Sequence, residues 1–262
     1  MTTSITSKKI KVGELDIHYL TAGQGEPLLV VHGGGEGSRA WRGNLEELSK
    51  NYTTYVPDLP GFGDSQPLTG DYFIPELTAF IDEFMKALGL DSFHLVGHSL
   101  GGGIALNYAL QFPHKINKLV LISSMCLGKE IALWIRFLSR RIPGRILGGI
   151  ALGLFRLIKW LLKSLYAPSE FVEPICQASI YLGTCITTLK EQTTVLINRL
   201  SGLMVPTLVV WGAKDPVLPV RQAYAAAQLI PNCQVKVFED CGHSVYREKL
   251  AEFSQLLTGF LG

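Results

Sequence analysis

Three side chains in separate segments of the chain, Ser99, Asp215 and His243, have the types that nucleophilic catalysis requires. A serine hydroxyl is a poor nucleophile at neutral pH, so it needs a base within hydrogen-bond reach and a group that orients that base. We therefore predict that Ser99 is a nucleophile, that His243 is its base, and that Asp215 is the acid that orients the imidazole.

The segments on either side of Ser99 predict a sharp turn between a strand and a helix. The apolar run 93–96 is typical of a buried strand, and the run 102–110 has the composition of a helix. Between them lies the sequence Gly-His-Ser-Leu-Gly, residues 97–101, whose small residues let strand and helix approach closely. We expect a strained backbone at the serine, beside a helix N-terminus that favours developing negative charge.

Asp215 and His243 each follow a predicted strand, 206–211 for the aspartate and 233–238 for the histidine. In an open sheet of parallel strands, ligand sites lie at the carboxyl ends of the strands. The sequence therefore predicts that both side chains lie at the same edge of a sheet as Ser99.

The order of the predicted elements indicates an α/β domain with a mostly parallel central sheet and helices on both faces. The run 15–19 alternates between apolar and polar residues and predicts an early antiparallel strand. Further strands are predicted at 27–31, 53–57, 93–96, 118–122, 206–211 and 233–238, and helices at 44–50, 75–88 and 101–111.

The strand–helix rhythm stops at residue 123, and helical spacing continues to about residue 202. We predict that residues 1–122 and 203–262 form the core and that residues 123–202 form an inserted helical cap. Two interpretations of its basic first half stay open: a lid with solvated cations, or an amphipathic surface that contacts a membrane. The cations are Arg136, Arg140, Arg141, Arg145, Arg156, Lys159 and Lys163.

The bulk properties favour a soluble cytoplasmic protein that acts on a small molecule. The chain has 262 residues and a net charge of +2, which gives no argument for nucleic-acid binding. Its five cysteines are odd in number and lack metal-type spacing, so we expect reduced thiols and neither a metal nor a cofactor. No apolar signal segment occurs in residues 1–11, and cations interrupt the apolar stretch 146–166 before it reaches the length of a membrane span.

Five motifs of the chain occur in the order in which enzymes of the α/β-hydrolase fold have them, from about residue 13 to the end. The run 32–35, His-Gly-Gly-Gly, resembles the oxyanion loop of that family, the run 58–65 resembles the turn that follows it, and 97–102 resembles the nucleophile elbow. The loops that carry Asp215 and His243 resemble the acid and histidine loops of the family.

The resemblance implies an α/β-hydrolase fold and an oxyanion hole built from the backbone N–H groups of Leu100 and Gly34, with Gly33 as the alternative to Gly34. Some family members place their acid after the strand that ends here at Ile122. Serines stand there in this chain, which favours Asp215.

A serine nucleophile implies attack on a carbonyl, since relatives that open epoxides or remove halides use an aspartate. Esters, thioesters, amides and the C–C bonds of vinylogous diketones stay open as substrates. We predict hydrolysis of a carboxylic ester with an apolar acyl or aromatic group through an acyl-enzyme. An alternative is the meta-cleavage-product C–C hydrolases, whose glycine loop has a proline where this chain has Glu36 and which commonly have a tryptophan at the position of Ser244.

For a C–C substrate, an arginine of the predicted cap could bind the carboxylate; the candidates are Arg136, Arg140 and Arg199. Two further alternatives stay open: a non-catalytic ligand receptor on the same fold and a lipase that works at a membrane surface.

Overall fold

The computed structural model describes residues 4–68, 73–138 and 191–262. Within these ranges eight strands form a single sheet. The strands are β1 (Thr6–Val12), β2 (Leu15–Ala22), β3 (Glu26–Val31), β4 (Tyr52–Pro57), β5 (Phe93–His98), β6 (Ile116–Ile122), β7 (Thr207–Gly212) and β8 (Cys233–Phe238).

The sheet is mostly parallel, which confirms the predicted α/β class. Its strand order is β1-β2-β4-β3-β5-β6-β7-β8. Strand β2 pairs antiparallel with β1 and with β4, and every other pair in this sheet of the described residues is parallel. Strand β1 was not among the sequence predictions because it is an edge strand whose residues are mainly exposed, so it carries no buried apolar run.

Helices cover both faces of the sheet. The α-helices of the described ranges are α1 (Arg42–Leu48), α2 (Ile74–Ala87), α3 (Leu100–Gln111), α4 (Leu133–Leu138), α5 (Arg221–Leu229), α6 (Val245–Glu248) and α7 (Leu250–Leu261). Short 3₁₀ helices occur at Ser38–Trp41, Pro113–Lys115 and Ile197–Gly202. Helices α5 and α7 were not predicted from the sequence.

Strand β3 illustrates why the central strands read as continuous apolar runs. Leu29 and Val31 pack in one core with side chains of α2 and α3, whereas Leu28 and Val30 pack in a second core with α1 and α7. Successive side chains of a strand point to opposite faces, so a strand covered on both faces must be apolar at every position.

The proposed cap boundaries at 123 and 202 stay a prediction, because most of the segment lies outside the described residues. Six of the seven predicted cap cations, all except Arg136, also lie outside the described residues, as do Cys176 and Cys185. Where the segment is described, its two ends are joined: the N–H of Gln192 donates to the carbonyl of Lys129, and that of Leu196 to the carbonyl of Cys126. No helix in the described part of the chain has the length and apolar character needed to cross a bilayer.

Candidate active site

Ser99 lies on the predicted turn between β5 and α3, in a backbone conformation that side chains seldom adopt. Its φ is 52° and its ψ is −113°. A Cβ at Gly97 would collide with the carbonyl of Gly101, and a Cβ at Gly101 would collide with the carbonyl of Val31. The glycines are therefore required by the close approach of the helix to β5 and β3.

Backbone hydrogen bonds hold Ser99 in this strained conformation. Its N–H donates to the carbonyl of Ile122 at 2.9 Å, and its own carbonyl accepts the N–H groups of Gly103 at 3.1 Å and Met125 at 3.0 Å. Helix α3 and the carboxyl end of β6 thus determine the serine's position, as expected for strain that persists in a folded protein.

His243 and Asp215 form a hydrogen-bonded pair, with 2.8 Å between Nδ1 of the imidazole and Oδ2 of the carboxylate. The Asp215 side chain is fully buried, and its Oδ1 accepts the N–H groups of Val217 at 2.8 Å and Leu218 at 3.0 Å. Burial by itself raises the pKa of Asp215, but the hydrogen bonds from His243 and the two amides outweigh burial and lower the pKa. The ionised carboxylate keeps a proton on Nδ1, which leaves Nε2 as the acceptor in neutral His243.

The elbow and the histidine loop are neighbours at the carboxyl edge of the sheet. His98, the residue before Ser99, directs its Nε2 at the main-chain carbonyl of His243 at 3.0 Å, and the two rings lie 4.9 Å apart between centroids. Each of the three residues lies just after a parallel strand: Ser99 directly after β5, Asp215 three residues after β7, and His243 five residues after β8. The roles assigned to the three residues remain predictions.

Hydrogen bonding distinguishes Gly33 from Gly34, the two alternatives for the second N–H group of the oxyanion hole. The N–H of Gly33 donates to Oε2 of Glu36 at 3.0 Å, so it is already engaged. No carbonyl or carboxylate of the described residues accepts the N–H of Gly34. Leu100 is the first residue of α3, where an N–H has no acceptor within its own helix. The geometry favours Gly34 over Gly33 as the partner of Leu100.

His32 and Asp58 both have hydrogen-bond partners within the protein. The Nδ1 of His32 donates to the carbonyl of Gly33 at 2.8 Å, and its Nε2 accepts the N–H of Leu59 at 2.9 Å. Asp58 accepts a hydrogen bond from Nδ1 of His18 at 2.7 Å. These contacts fix the glycine loop and the turn after β4.

One cluster in the described part of the chain has metal-ligating residue types, namely His18, Asp58 and Asp64. Its ligand atoms are engaged: His18 bonds to Asp58, and Asp64 forms an ion pair with Arg39 at 2.9 Å. The cluster is therefore accounted for by interactions within the protein.

Glu36 is a residue of this region whose role the sequence does not predict. It stands where the C–C hydrolases have a proline, and its side chain contacts Gly33, His98 and Tyr246. Two features of the sequence could have indicated this role: Glu36 is a carboxylate in a glycine-rich loop, and the elbow carries a histidine, His98, with which it could pair.

The arginines named for a possible substrate carboxylate are not all described. Arg199 is exposed in the 3₁₀ helix Ile197–Gly202, Arg136 lies on α4, and Arg140 lies outside the described residues.

The chain is similar in sequence to a known protein family and to proteins of several bacteria. A family model described as alpha/beta hydrolase fold matches residues 26–148 and 177–250. An uncharacterised protein of Mycobacterium tuberculosis is 30% identical over 264 residues, which cover 93% of this chain and 77% of that protein. The 2-hydroxy-6-oxo-6-phenylhexa-2,4-dienoate hydrolase of Comamonas testosteroni is 29% identical over 298 residues, covering 100% of this chain and 98% of that protein.

Among solved structures, a membrane phospholipase A described as a bacterial virulence factor is 26% identical, with a TM-score of 0.75. The match covers 99% of this chain and 86% of the phospholipase. The family match extends over most of the chain, and the sheet order and the elbow agree with it. The chain belongs to the alpha/beta hydrolase fold family, and it is a hydrolase.

Proposed function

We propose that this hydrolase cleaves carboxylic esters that carry an apolar acyl or aromatic group, through an acyl-enzyme on Ser99. The observation that carries the proposal is the pairing of His243 with the buried carboxylate of Asp215 at 2.8 Å, next to an elbow that holds Ser99 at φ 52°. In the proposal, Ser99 is the nucleophile, His243 is the oriented base, and two N–H groups stabilise an oxyanion.

In the proposed cycle, Nε2 of His243 takes the hydroxyl proton of Ser99 as the serine oxygen bonds to the ester carbonyl carbon. The N–H groups of Leu100 and Gly34 stabilise the negative charge that develops on the carbonyl oxygen. The protonated His243, stabilised by Asp215, then gives its proton to the leaving alcohol as the C–O bond breaks. Water, deprotonated by His243, attacks the acyl-enzyme and releases the acid.

A second candidate is hydrolysis of a C–C bond in a vinylogous diketone. It is supported by the Comamonas hydrolase, whose 29% identity extends over 100% of this chain. Glu36 and Ser244 differ from the residues that this group commonly has, and the Glu36 side chain is engaged with neighbouring protein groups. Ester hydrolysis is preferred because it needs no group beyond those already named.

The test is a substrate panel read on the wild type and on Ser99→Ala. We expect multiple turnover of p-nitrophenyl esters by the wild type and a loss of at least about 10³-fold in kcat for Ser99→Ala, because the nucleophile is removed. Ser201→Ala, at an exposed serine, is the matched control and is expected to keep wild-type rates. Unchanged hydrolysis in Ser99→Ala would refute the assignment.

The same panel includes a vinylogous diketone, which separates the second candidate from the first. Preference for the diketone over every ester in kcat/KM would replace the ester proposal. Binding of esters without turnover would favour the receptor alternative.

The cytoplasmic location and a membrane contact of the predicted cap remain predictions. Salt-sensitive binding to anionic vesicles is expected if the basic cap contacts a membrane, because such attraction is screened by ions. If the protein does not bind anionic vesicles at low salt, this contact is excluded.

A further inference from the structure

Glu36 is a largely buried carboxylate that the proposed cycle does not use, with a side chain 15% exposed. Its Oε2 accepts hydrogen bonds from the N–H of Gly33 at 3.0 Å and from Nδ1 of His98 at 3.2 Å. Its Oε1 accepts the hydroxyl of Tyr246 at 2.8 Å. One carboxylate therefore contacts the glycine loop, the elbow and helix α6, which begins two residues after His243.

His98 lies between two hydrogen-bond acceptors, and its side chain is 2% exposed. Its Nδ1 faces the carboxylate of Glu36, and its Nε2 faces the main-chain carbonyl of His243 at 3.0 Å. A carbonyl oxygen only accepts, and so does an ionised carboxylate, so each ring nitrogen must carry a proton. His98 is then an imidazolium directly beside the proposed nucleophile.

The alternative, a protonated Glu36 beside a neutral His98, is disfavoured by the other donors to the carboxylate. Gly33 and Tyr246 each donate to it, one to each oxygen, which suits an ionised group. Burial by itself raises the pKa of Glu36, yet the charge of His98 and the hydrogen bonds from His98 and Tyr246 lower it to about 2. For His98, burial lowers the pKa, but the Glu36 carboxylate outweighs burial and raises it.

The remaining titratable groups near His98 come from four neighbouring elements. They are His32 at the end of β3, Asp215 after β7, His243 after β8 and Tyr246 in α6. Of these, Asp215 carries a negative charge and therefore adds to the effect of Glu36 on His98.

We propose that Glu36 and a protonated His98 form a positioning pair that holds the glycine loop, the nucleophile elbow and the histidine loop in one fixed arrangement. This inference rests on the proposed function of Ser99 and His243. The pair touches no reacting atom; it acts through the Gly33–Gly34 peptide on one side and the His243 backbone on the other.

The close packing of the pair supports this role. A Cβ at Gly33 would lie 2.7 Å from Nδ1 of His98 and 3.1 Å from Oε2 of Glu36, so the loop approaches the pair as near as its backbone allows. The ring of Tyr246 stacks on Trp41 with centroids 4.0 Å apart and planes inclined by 5°, which fixes the hydroxyl that reaches Glu36. Small displacements of catalytic groups slow the reaction strongly, since a shift of about 1 Å can lower the rate by about 10²-fold.

The first test measures the charge of His98 without using activity. Long-range ¹H–¹⁵N spectra of uniformly labelled protein at pH 7.5 report both ring nitrogens of each histidine, and the His98→Gln variant assigns the signals. We expect two protonated nitrogens for His98 in the wild type and one in Glu36→Gln, because the amide no longer stabilises the cation. A neutral His98 in the wild type would overturn the inference.

The second test is a double-mutant cycle on ester hydrolysis. We expect Glu36→Gln and His98→Gln each to lower kcat by about 10- to 100-fold with KM changed less than threefold, because positioning acts on the transition state. The double variant is expected to lose no more than the worse single variant, since either change breaks the same pair. Glu47→Gln, at a half-buried glutamate of α1 that pairs with Lys50, is the control and should keep wild-type kcat.

The urea midpoint of unfolding shows whether each variant is folded. If a single variant folds poorly because it leaves an unpaired buried charge, kcat is measured on the double variant instead, in which both residues are neutral. A charged pair whose variants keep wild-type kcat would show a purely structural role and overturn the inference. Absence of ester turnover in the wild type would instead refute the proposed function, while the spectra would still decide the charge of His98.

Discussion

Two buried histidines near Ser99 differ in protonation because their partners differ. His32 accepts the N–H of Leu59 at Nε2 and must be neutral, and burial lowers its pKa. His98 meets a carboxylate and a carbonyl, and its pKa is raised although burial opposes this. At the residue scale, the hydrogen-bond partners of a side chain decide its charge, even where burial is equally complete.

The same reasoning predicts the effect of Asp215→Asn. An asparagine keeps the shape of the acid but removes the charge that holds the proton on Nδ1 of His243, so the wrong tautomer is favoured. We expect kcat for p-nitrophenyl esters to fall by about 10³- to 10⁴-fold at pH 7.5.

The control for this variant is Asp240→Asn, at an exposed aspartate three residues before His243 that pairs only with Lys214 at 3.2 Å among the interactions of the described chain. Its kcat should match the wild type. Equal kcat in Asp215→Asn and the wild type would show that Asp215 is not the acid.

At the scale of elements, the elbow requires α3 to pack directly onto the sheet. Gly97, Gly101 and Gly102 leave no room for a Cβ, because backbone atoms or the side chain of Ser124 occupy the space. The strain at Ser99 and the close helix packing are therefore two parts of one arrangement.

Gly101→Ala tests this arrangement. The added methyl would collide with the carbonyls of Val31 and His32, so we expect the free energy of unfolding to fall by about 1–3 kcal/mol and kcat to fall with it. Urea denaturation and ester hydrolysis measure the two effects.

Gly259→Ala is the matched control because Gly259 is an exposed residue of α7 with open space at its Cβ position. There alanine should stabilise the protein by about 0.5 kcal/mol by restricting the unfolded chain. A stable and fully active Gly101→Ala protein would contradict the packing argument.

At the scale of the whole molecule, stability toward acid depends on carboxylates that folding brings to positive partners. Asp82 of α2 pairs with Lys86 at 2.9 Å and with Lys115 at 2.6 Å, and it accepts the hydroxyl of Tyr108 at 2.8 Å. Burial by itself raises the pKa of Asp82, but the hydrogen bonds from the lysines and the tyrosine lower it from 3.8 to about 2.

A carboxylate with a lowered pKa stabilises the folded state above its unfolded pKa, and this stabilisation is lost as the pH falls through the folded value. We expect Asp82→Asn to lower the free energy of unfolding by about 1–3 kcal/mol at pH 6, and the difference from the wild type to shrink between pH 3.8 and about 2.

Urea denaturation as a function of pH measures this difference. Glu83→Gln, an exposed neighbour that pairs with Lys86, should change stability by less than about 0.5 kcal/mol. A difference between Asp82→Asn and the wild type that stays constant down to pH 2 would contradict the argument.

Much of the fold could be predicted because apolar periodicity reports burial locally. The runs 27–31 and 118–122 are apolar at each position facing a core and correspond to β3 and β6. Strand β1 escaped prediction because an edge strand is stabilised by pairing with β2, a contact that its own residues do not reveal. Helix α7 is held by its packing against α1 and the sheet, which is again a non-local contact.

The sequence by itself determined the α/β class, the elbow and the three residues proposed for catalysis, because each depends on a local run of residues after a strand. The tertiary structure decided the placement of His98 between the Glu36 carboxylate and the His243 carbonyl. Glu36, His98 and His243 are far apart in the chain, and only the assembly of the sheet brings them together. Charge state and hydrogen-bond partners arise from that proximity, so a linear pattern does not contain them.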